Sequence, residues 1–303
     1  MTTTKRAHLI VGGFPPGSPA RHDMNYARLQ LLRMLEGEDN LSVTVANDFQ
    51  DIERWLPGTD LLVTYVAGPY SVGSGNDALQ SWLEAGGRWL ALHGTSGGKA
   101  RKTERSGRPV KMMVKDAHHE TLGCFFLNHP PICAFDVTVT SDHPVTRGLP
   151  DRFTVQDELY LIELLDPNAS RVLLTTELAK DPSPPGFGFV YDEDTSVQSD
   201  GKTRVLGYAR DVGQGEIVYV GLGHCHTGRT GKESVVDTSI DSKGVMPPEL
   251  HSVWKTDAFV RLLENAVSWG LGKVTFPRHS GPGCKLLLDH LEGSYEHAQD
   301  LHG

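Results

Sequence analysis

Residues Leu83 to Thr95, LEAGGRWLALHGT, carry the end of one element and the whole of the next. Leu79, Trp82 and Leu83 belong to a helix that Gly86-Gly87 stops, and Arg88 to His93 follows as an apolar strand ending on a histidine. The same alternation runs upstream. Asp60 to Val66 (DLLVTYV) reads as a strand, Leu41 to Asn47 (LSVTVAN) alternates as another, and Ala7 to Gly13 (AHLIVGG) is the unbroken apolar run of a strand buried on both faces. Asp23 caps a helix that places Ala27, Leu31, Met34 and Leu35 on one face. Strands alternating with helices imply a doubly wound, mostly parallel sheet.

Downstream the pattern breaks. Thr95 to Gly123 is glycine-rich and basic, with Glu104 the sole acid set against the cations between Lys99 and Lys115, and is expected to be an inserted loop over the mouth of a cleft. Further strands are expected at Val137 to Thr140, Arg171 to Thr176, Arg204 to Ala209 and Glu216 to Gly221, then an amphipathic helix from Asp257 to Gly270. Asp181 to Asp200 is acidic, rich in Pro and Gly, and lacks Lys and Arg. The two insertions read as solvated loops, or as oppositely charged segments that fold toward each other. One domain over 1–272, with insertions near 95–123 and 181–202 and a C-terminal extension at 273–303, accounts for these signals.

The net charge of −9 argues against nucleic acid as a partner. No apolar run is long enough to span a membrane, the N-terminus lacks a signal-peptide pattern, and Cys124, Cys133, Cys225 and Cys284 show no C-x-x-C spacing. A cytoplasmic protein with reduced thiols follows. Neither Gly12-Gly13 nor Gly73-Ser74-Gly75 forms a phosphate-cradling motif, so no nucleotide is expected. A homo-oligomer stays open.

In an open parallel sheet, ligands bind beyond the carboxyl ends of the strands. His22 follows the first strand, His93 ends the fourth and His224 ends the last. His129 (FFLNHPP), the acidic pair Asp157-Glu158 and Tyr160 (QDELY) lie in irregular segments that can form cleft walls. Each has a structural alternative: His93 as a turn-closing core residue, His22 as a partner of Asp23, His129 as part of a rigid Pro130-Pro131 loop, Tyr160 as packing. His143, before a proline, reads as a turn element. Imidazoles with a carboxylate suit both divalent-metal binding and proton transfer near neutral pH. The expectation is that His93, His129, His224 and Glu158 converge in one cleft with His22 at its rim. Within it, His93, His129 and His224 are the metal-ligand candidates, zinc favoured, His93, Glu158 and His224 the catalytic candidates, and His22, Asp157 and Tyr160 the substrate-binding candidates.

VGGFPPGSPARHD, LEAGGRWLALHG, LGCFFLNHPP, SDHPVTRGLPDRFTVQDELY and GQGEIVYVGLGH, in this order, resemble the ThuA-like family, named for trehalose utilisation, over roughly Lys5 to Gly270. The resemblance implies a class I glutamine amidotransferase-like (flavodoxin-like) three-layer sandwich. It also implies a role with disaccharides or oxidised sugars, and functional positions at His22, His93, His129, Glu158 and His224. In amidotransferases a cysteine nucleophile occupies the elbow after a strand, whereas here that position matches His93, so glutaminase activity is expected to be absent. The expected function is a carbohydrate-processing enzyme of lyase, isomerase or hydrolase type using a His/Glu cluster with a divalent metal and a small-molecule carbohydrate as its partner. The alternative is a non-catalytic sugar-binding or partner subunit whose histidines stand too far apart to share a ligand.

Overall fold

A computed structural model describes residues 4–13, 22–225 and 251–273. The N-terminal part follows the alternation in the sequence. β1 (Lys5–Gly13), α1 (Met24–Glu36), β2 (Leu41–Ala46), the short α2 (Ile52–Trp55), β3 (Leu61–Ala67), α3 (Ser74–Glu84) and β4 (Arg88–Leu92) succeed one another. Asp23 caps α1 by accepting from the Tyr26 N–H, and Ala27, Leu31 and Leu35 are buried. The run Ala7 to Gly13 is wholly buried because parallel strands flank β1 on both sides. At Gly12 a Cβ would lie 1.7 Å from the Asn47 carbonyl oxygen, so only glycine lets β1 end against the loop after β2.

The stretch read as a loop is ordered. β5 (Lys99–Arg105) and β6 (Arg108–Val114) form an antiparallel hairpin turning at Ser106 and Gly107, both at positive φ, and α4 (Ala117–Leu122) follows. Its cations conceal the alternation, since nearly every position faces solvent. β7 (Cys124–Asn128), β8 (Cys133–Val139), β9 (Arg152–Asp157), β10 (Leu161–Leu164), β11 (Ser170–Glu177), β12 (Thr203–Val212) and β13 (Gly215–Val220) then lead to α5 (Asp257–Gly270).

The central sheet has nine strands in the order β2-β1-β3-β4-β13-β12-β11-β8-β9. From β2 to β13 every pairing is parallel, and from β13 to β9 every pairing is antiparallel. The expectation of a mostly parallel sheet is thus corrected to a mixed one. A parallel crossover needs a dozen or more residues, usually a helix, whereas β12 and β13 are joined by a tight turn at Gly213 and Gln214. The protein is a mixed α/β structure with a large central sheet. α1 packs on α5, while α3 packs on α2 and α4. No helix among the described residues is long and apolar enough to cross a membrane.

Candidate functional site

His93 follows directly on β4, with φ of +43° in the left-handed region that side chains rarely adopt. The bend aims its ring across the carboxyl ends of the strands. His93 Nδ1 lies 2.7 Å from the Gly221 carbonyl, which can only accept, so Nδ1 carries a hydrogen and Nε2 is turned toward the cluster. The turn behind it is braced by α4, whose His118 and His119 donate from Nε2 to the carbonyls of Thr95 and Gly97 at 3.0 and 2.8 Å.

β13 delivers the second histidine. His93 Nε2 faces His224 Nδ1 at 3.4 Å and Glu158 Oε2 at 3.6 Å, and His224 Nδ1 lies 2.9 Å from that same carboxylate oxygen. Glu158 comes from the opposite half of the sheet, immediately after β9. His22 stands just before α1, its ring centroid 5.2 Å from that of His93 and 4.8 Å from that of His224. Its segment is tied to the His224 segment by the Asp23 N–H donating to the Cys225 carbonyl at 2.9 Å. One donor atom each from His22, His93, Glu158 and His224 lies within 4.8 Å of the others, and all four residues are buried.

The expected convergence is present, with two changes of place. His22, expected at the rim, is inside the cluster, because the Asp23–Cys225 bond draws the start of α1 onto the end of β13. His129, expected as a metal ligand, stands outside the four-residue cluster. Its Nδ1 lies 3.6 Å from Glu158 Oε1, the oxygen turned away from the other imidazoles, and donates to the Pro130 carbonyl at 2.8 Å. The sequence carries no direct sign of either shift, since each depends on how two distant loops meet.

Asp157 and Tyr160 divide the role expected of both. Asp157 accepts from the backbone N–H groups of Gly223, His224 and Glu158 at 2.7, 2.9 and 2.9 Å, so it fixes the turn carrying His224 and does not point at a ligand. Burial pushes its carboxyl up to about 7 against the opposing pull of His93 and two of these amides. Tyr160 lies over His93 with ring centroids 4.0 Å apart. Burial would raise Glu158 too, but the charges of His129 and His224 and the hydrogen bonds of His224 and His93 outweigh it, holding the carboxyl well below the usual range.

Cys225 is no substitute for a missing nucleophile. Burial pushes its thiol up to about 12, and its Sγ rests against the Tyr65 hydroxyl and the Asp23 carbonyl. His226 lies outside the described residues. His143 is a turn element, as read: it caps a short turn and bonds Glu216 at 3.0 Å. Tyr65 was missed. The Tyr65 ring stacks 5.9 Å from His93, and its place near the end of β3 was the available signal.

The family model described as trehalose utilisation, ThuA, matches residues 16–236. A ThuA-like protein from Bacteroides uniformis has a similar structure, with a TM-score of 0.56 at 16% identity over 88% of this chain and 91% of that one. A ThuA-like protein from Parabacteroides merdae gives 0.54 at 18% identity, over 91% and 93%. A β-galactosidase from Rahnella sp. R3 gives 0.52 at 13% identity, over 91% of this chain and 32% of that one. At such identities these likenesses establish the fold alone. No curated protein matches the chain in sequence.

Proposed function

The chain belongs to the ThuA family, and from that premise we propose a carbohydrate-processing enzyme in which His22, His93 and His224 hold a divalent ion, zinc favoured, beside Glu158 as proton-transfer group. The carrying observation is the convergence of donor atoms: His93 Nε2, turned inward by the Gly221 bond, faces His224 Nδ1 at 3.4 Å and Glu158 Oε2 at 3.6 Å, a grouping that suits a bound cation. The donor set fits. Ligands about 2.0 to 2.1 Å from a tetrahedral ion stand about 3.3 Å from one another. His93 Nε2 and His224 Nδ1 stand 3.4 Å apart, Glu158 Oε2 lies 2.9 and 3.6 Å from them, and His22 offers a donor atom within 4.8 Å of all three.

A bound ion would polarise a sugar carbonyl or hydroxyl. The chain's own groups do the rest. Gly221 keeps His93 in the ligating tautomer, and Asp157 holds the backbone of His224 in place. Glu158, ionised at neutral pH, accepts a proton from the carbon beside that carbonyl or from water, and His129 beside its second oxygen favours the ionised form from which that transfer starts. Lyase, isomerase and hydrolase outcomes all follow from such a transfer. The parallel half of the sheet, with His93 at the elbow, supports an amidotransferase-like core adapted away from acyl transfer.

Elemental analysis of protein purified without added metal tests the proposal. A stoichiometric transition metal, retained on dialysis and lost from both His93→Ala and His224→Ala, is expected. Protein that stays metal-free after incubation with zinc, manganese and cobalt salts refutes it.

A further inference from the structure

The β5–β6 hairpin joins no other strand, and an isolated two-stranded ribbon is at best marginally stable in water, yet this one exposes most of its length. Met113 alone among its residues is buried, and it ties one face of the ribbon to the core. Pairing of Lys99 with Val114, Arg101 with Met112 and Arg105 with Arg108 puts these six side chains together on the other face. Arg105 reaches Asp192, but Lys99, Arg101 and Arg108 make no ion pair among the described residues. Val114 is 38% exposed beside them. Arginine with methionine is a mixture enriched where proteins meet.

The charge points to a partner. Residues 99–115 hold seven cations and one acid, a net of +6 in a chain of −9, so everything outside the ribbon carries −15. A second copy of this chain is therefore an acidic body facing a cationic arm. A matching surface lies next to the ribbon. Asn76 of α3 donates to the Thr121 hydroxyl and the Ala117 carbonyl of α4, at 3.0 and 3.4 Å, and α4 follows β6 directly. The start of α3 and the base of the ribbon thus share one side of the sheet. Just before α3 stands Val72, 61% exposed. Two exposed acids belong to the same corner: Glu53, whose Oε2 lies 3.5 Å from the Ser74 hydroxyl, and Asp77 in the first turn of α3. Neither makes an ion pair among the described residues, whereas Asp51 faces Arg54 at 3.9 Å.

A cationic arm and an acidic corner side by side are what a two-fold axis requires, because each arm can cross to the other copy's corner and the contact closes on itself. We infer that the β5–β6 ribbon docks on the start of α3 in a second copy of this chain, with Arg101 and Arg108 set against Glu53 and Asp77, in a closed two-fold dimer.

Sedimentation equilibrium of the full chain tests this, and needs neither metal nor substrate, so it stands apart from the function proposed above. A dimer at low salt is expected, with its dissociation constant raised about tenfold in about 0.5 M salt. Arg101→Glu with Arg108→Glu should raise it about a hundredfold, and Glu53→Arg with Asp77→Arg should do the same. Joining all four changes should restore the dimer, because the reversed charges again face each other. Lys102→Glu, on the ribbon's other face, should leave it unchanged. All these side chains are exposed, so far-UV circular dichroism should be the same in every variant. A wild type that stays monomeric throughout a dilution series overturns the inference, as does a dimer indifferent to the reversals or a fourfold variant that stays apart. Monomeric protein captured by heparin or by anionic vesicles would assign the ribbon to a polyanion and overturns it too.

Discussion

The two halves of the central sheet contribute differently to the cluster. The parallel half, β2 to β13, supplies His22, His93 and His224, each at a strand or helix end whose direction the sheet fixes. The antiparallel half and its connections supply Glu158, His129 and Tyr160, from segments between β7 and β10 whose course is set by hairpins. Parallel strands all end on one edge, so a parallel half gathers side chains by topology. An antiparallel half alternates direction and must bend a connection inward to reach the same point. The first half is suited to holding a ligand set and the second to varying what happens beside it.

That division makes a prediction with a large effect. His224→Ala, in the parallel half, should lower zinc affinity at least about a hundredfold, in the range seen when a ligand or its orienting partner is removed. Glu158→Gln, in the antiparallel half, should keep zinc within about tenfold and abolish proton transfer, measured as solvent deuterium exchange at the carbon beside a keto-sugar carbonyl. Equal loss of zinc in both variants would merge the two halves into one ligand shell and end the distinction.

The same contrast explains what could be read in the sequence. Strands buried on both faces have no alternative to continuous apolar runs, so AHLIVGG, DLLVTYV and RWLAL announced β1, β3 and β4, and Asp23 announced α1. His93 and His224 were legible because strand ends are legible. In the antiparallel half, β7, β9 and β10 are short and their direction depends on turns such as Gly213-Gln214, which periodicity does not encode. Glu158 was found through its motif, but the clamping role of Asp157 depends on a contact across the sheet between residues 157 and 223–224.

A middle-sized effect concerns the brace behind the parallel half. His118 is buried among Phe49, Trp89 and Tyr70, its Nε2 bonds the Thr95 carbonyl, its Nδ1 has no partner, and His119 and Asp116 are the titratable groups beside it. Burial, then the charge of His119, lowers it from 6.5 to about 4. At this group the unfolded chain therefore binds a proton that the folded chain refuses, and its contribution to stability falls as pH drops from about 6.5 toward 4. The loss approaches about 3 kcal/mol at the acid end. His8, lowered to about 4 by burial, acts in the same direction. Asp157, raised to about 7, titrates in the same window with the opposite sign, so the histidine contribution is read by urea denaturation between pH 7 and 5 as the difference in slope between wild type and His118→Gln. An unchanged slope in His118→Gln would show that the brace does not resist protonation.

The smallest effect lies where the two charged insertions meet. Arg105 of the β5–β6 hairpin pairs with Asp192 of the acidic segment, and the Val190 N–H donates to the Lys111 carbonyl at 2.8 Å. The sequence raised mutual attraction as one reading of these segments, and they do touch. Touching is not the same as being held by charge. Arg105 is 41% exposed and Asp192 82%, so water and salt screen the pair, and its contribution should be about 0 to 1 kcal/mol. The backbone bond from Val190 survives any change at Asp192, and Asn128 anchors the far end of the segment independently. Asp192→Asn should therefore change stability by less than about 1 kcal/mol, with the difference vanishing in about 0.5 M salt. A larger, salt-sensitive loss would mean that charge, and not the bonds of Val190 and Asn128, sets the position of the segment.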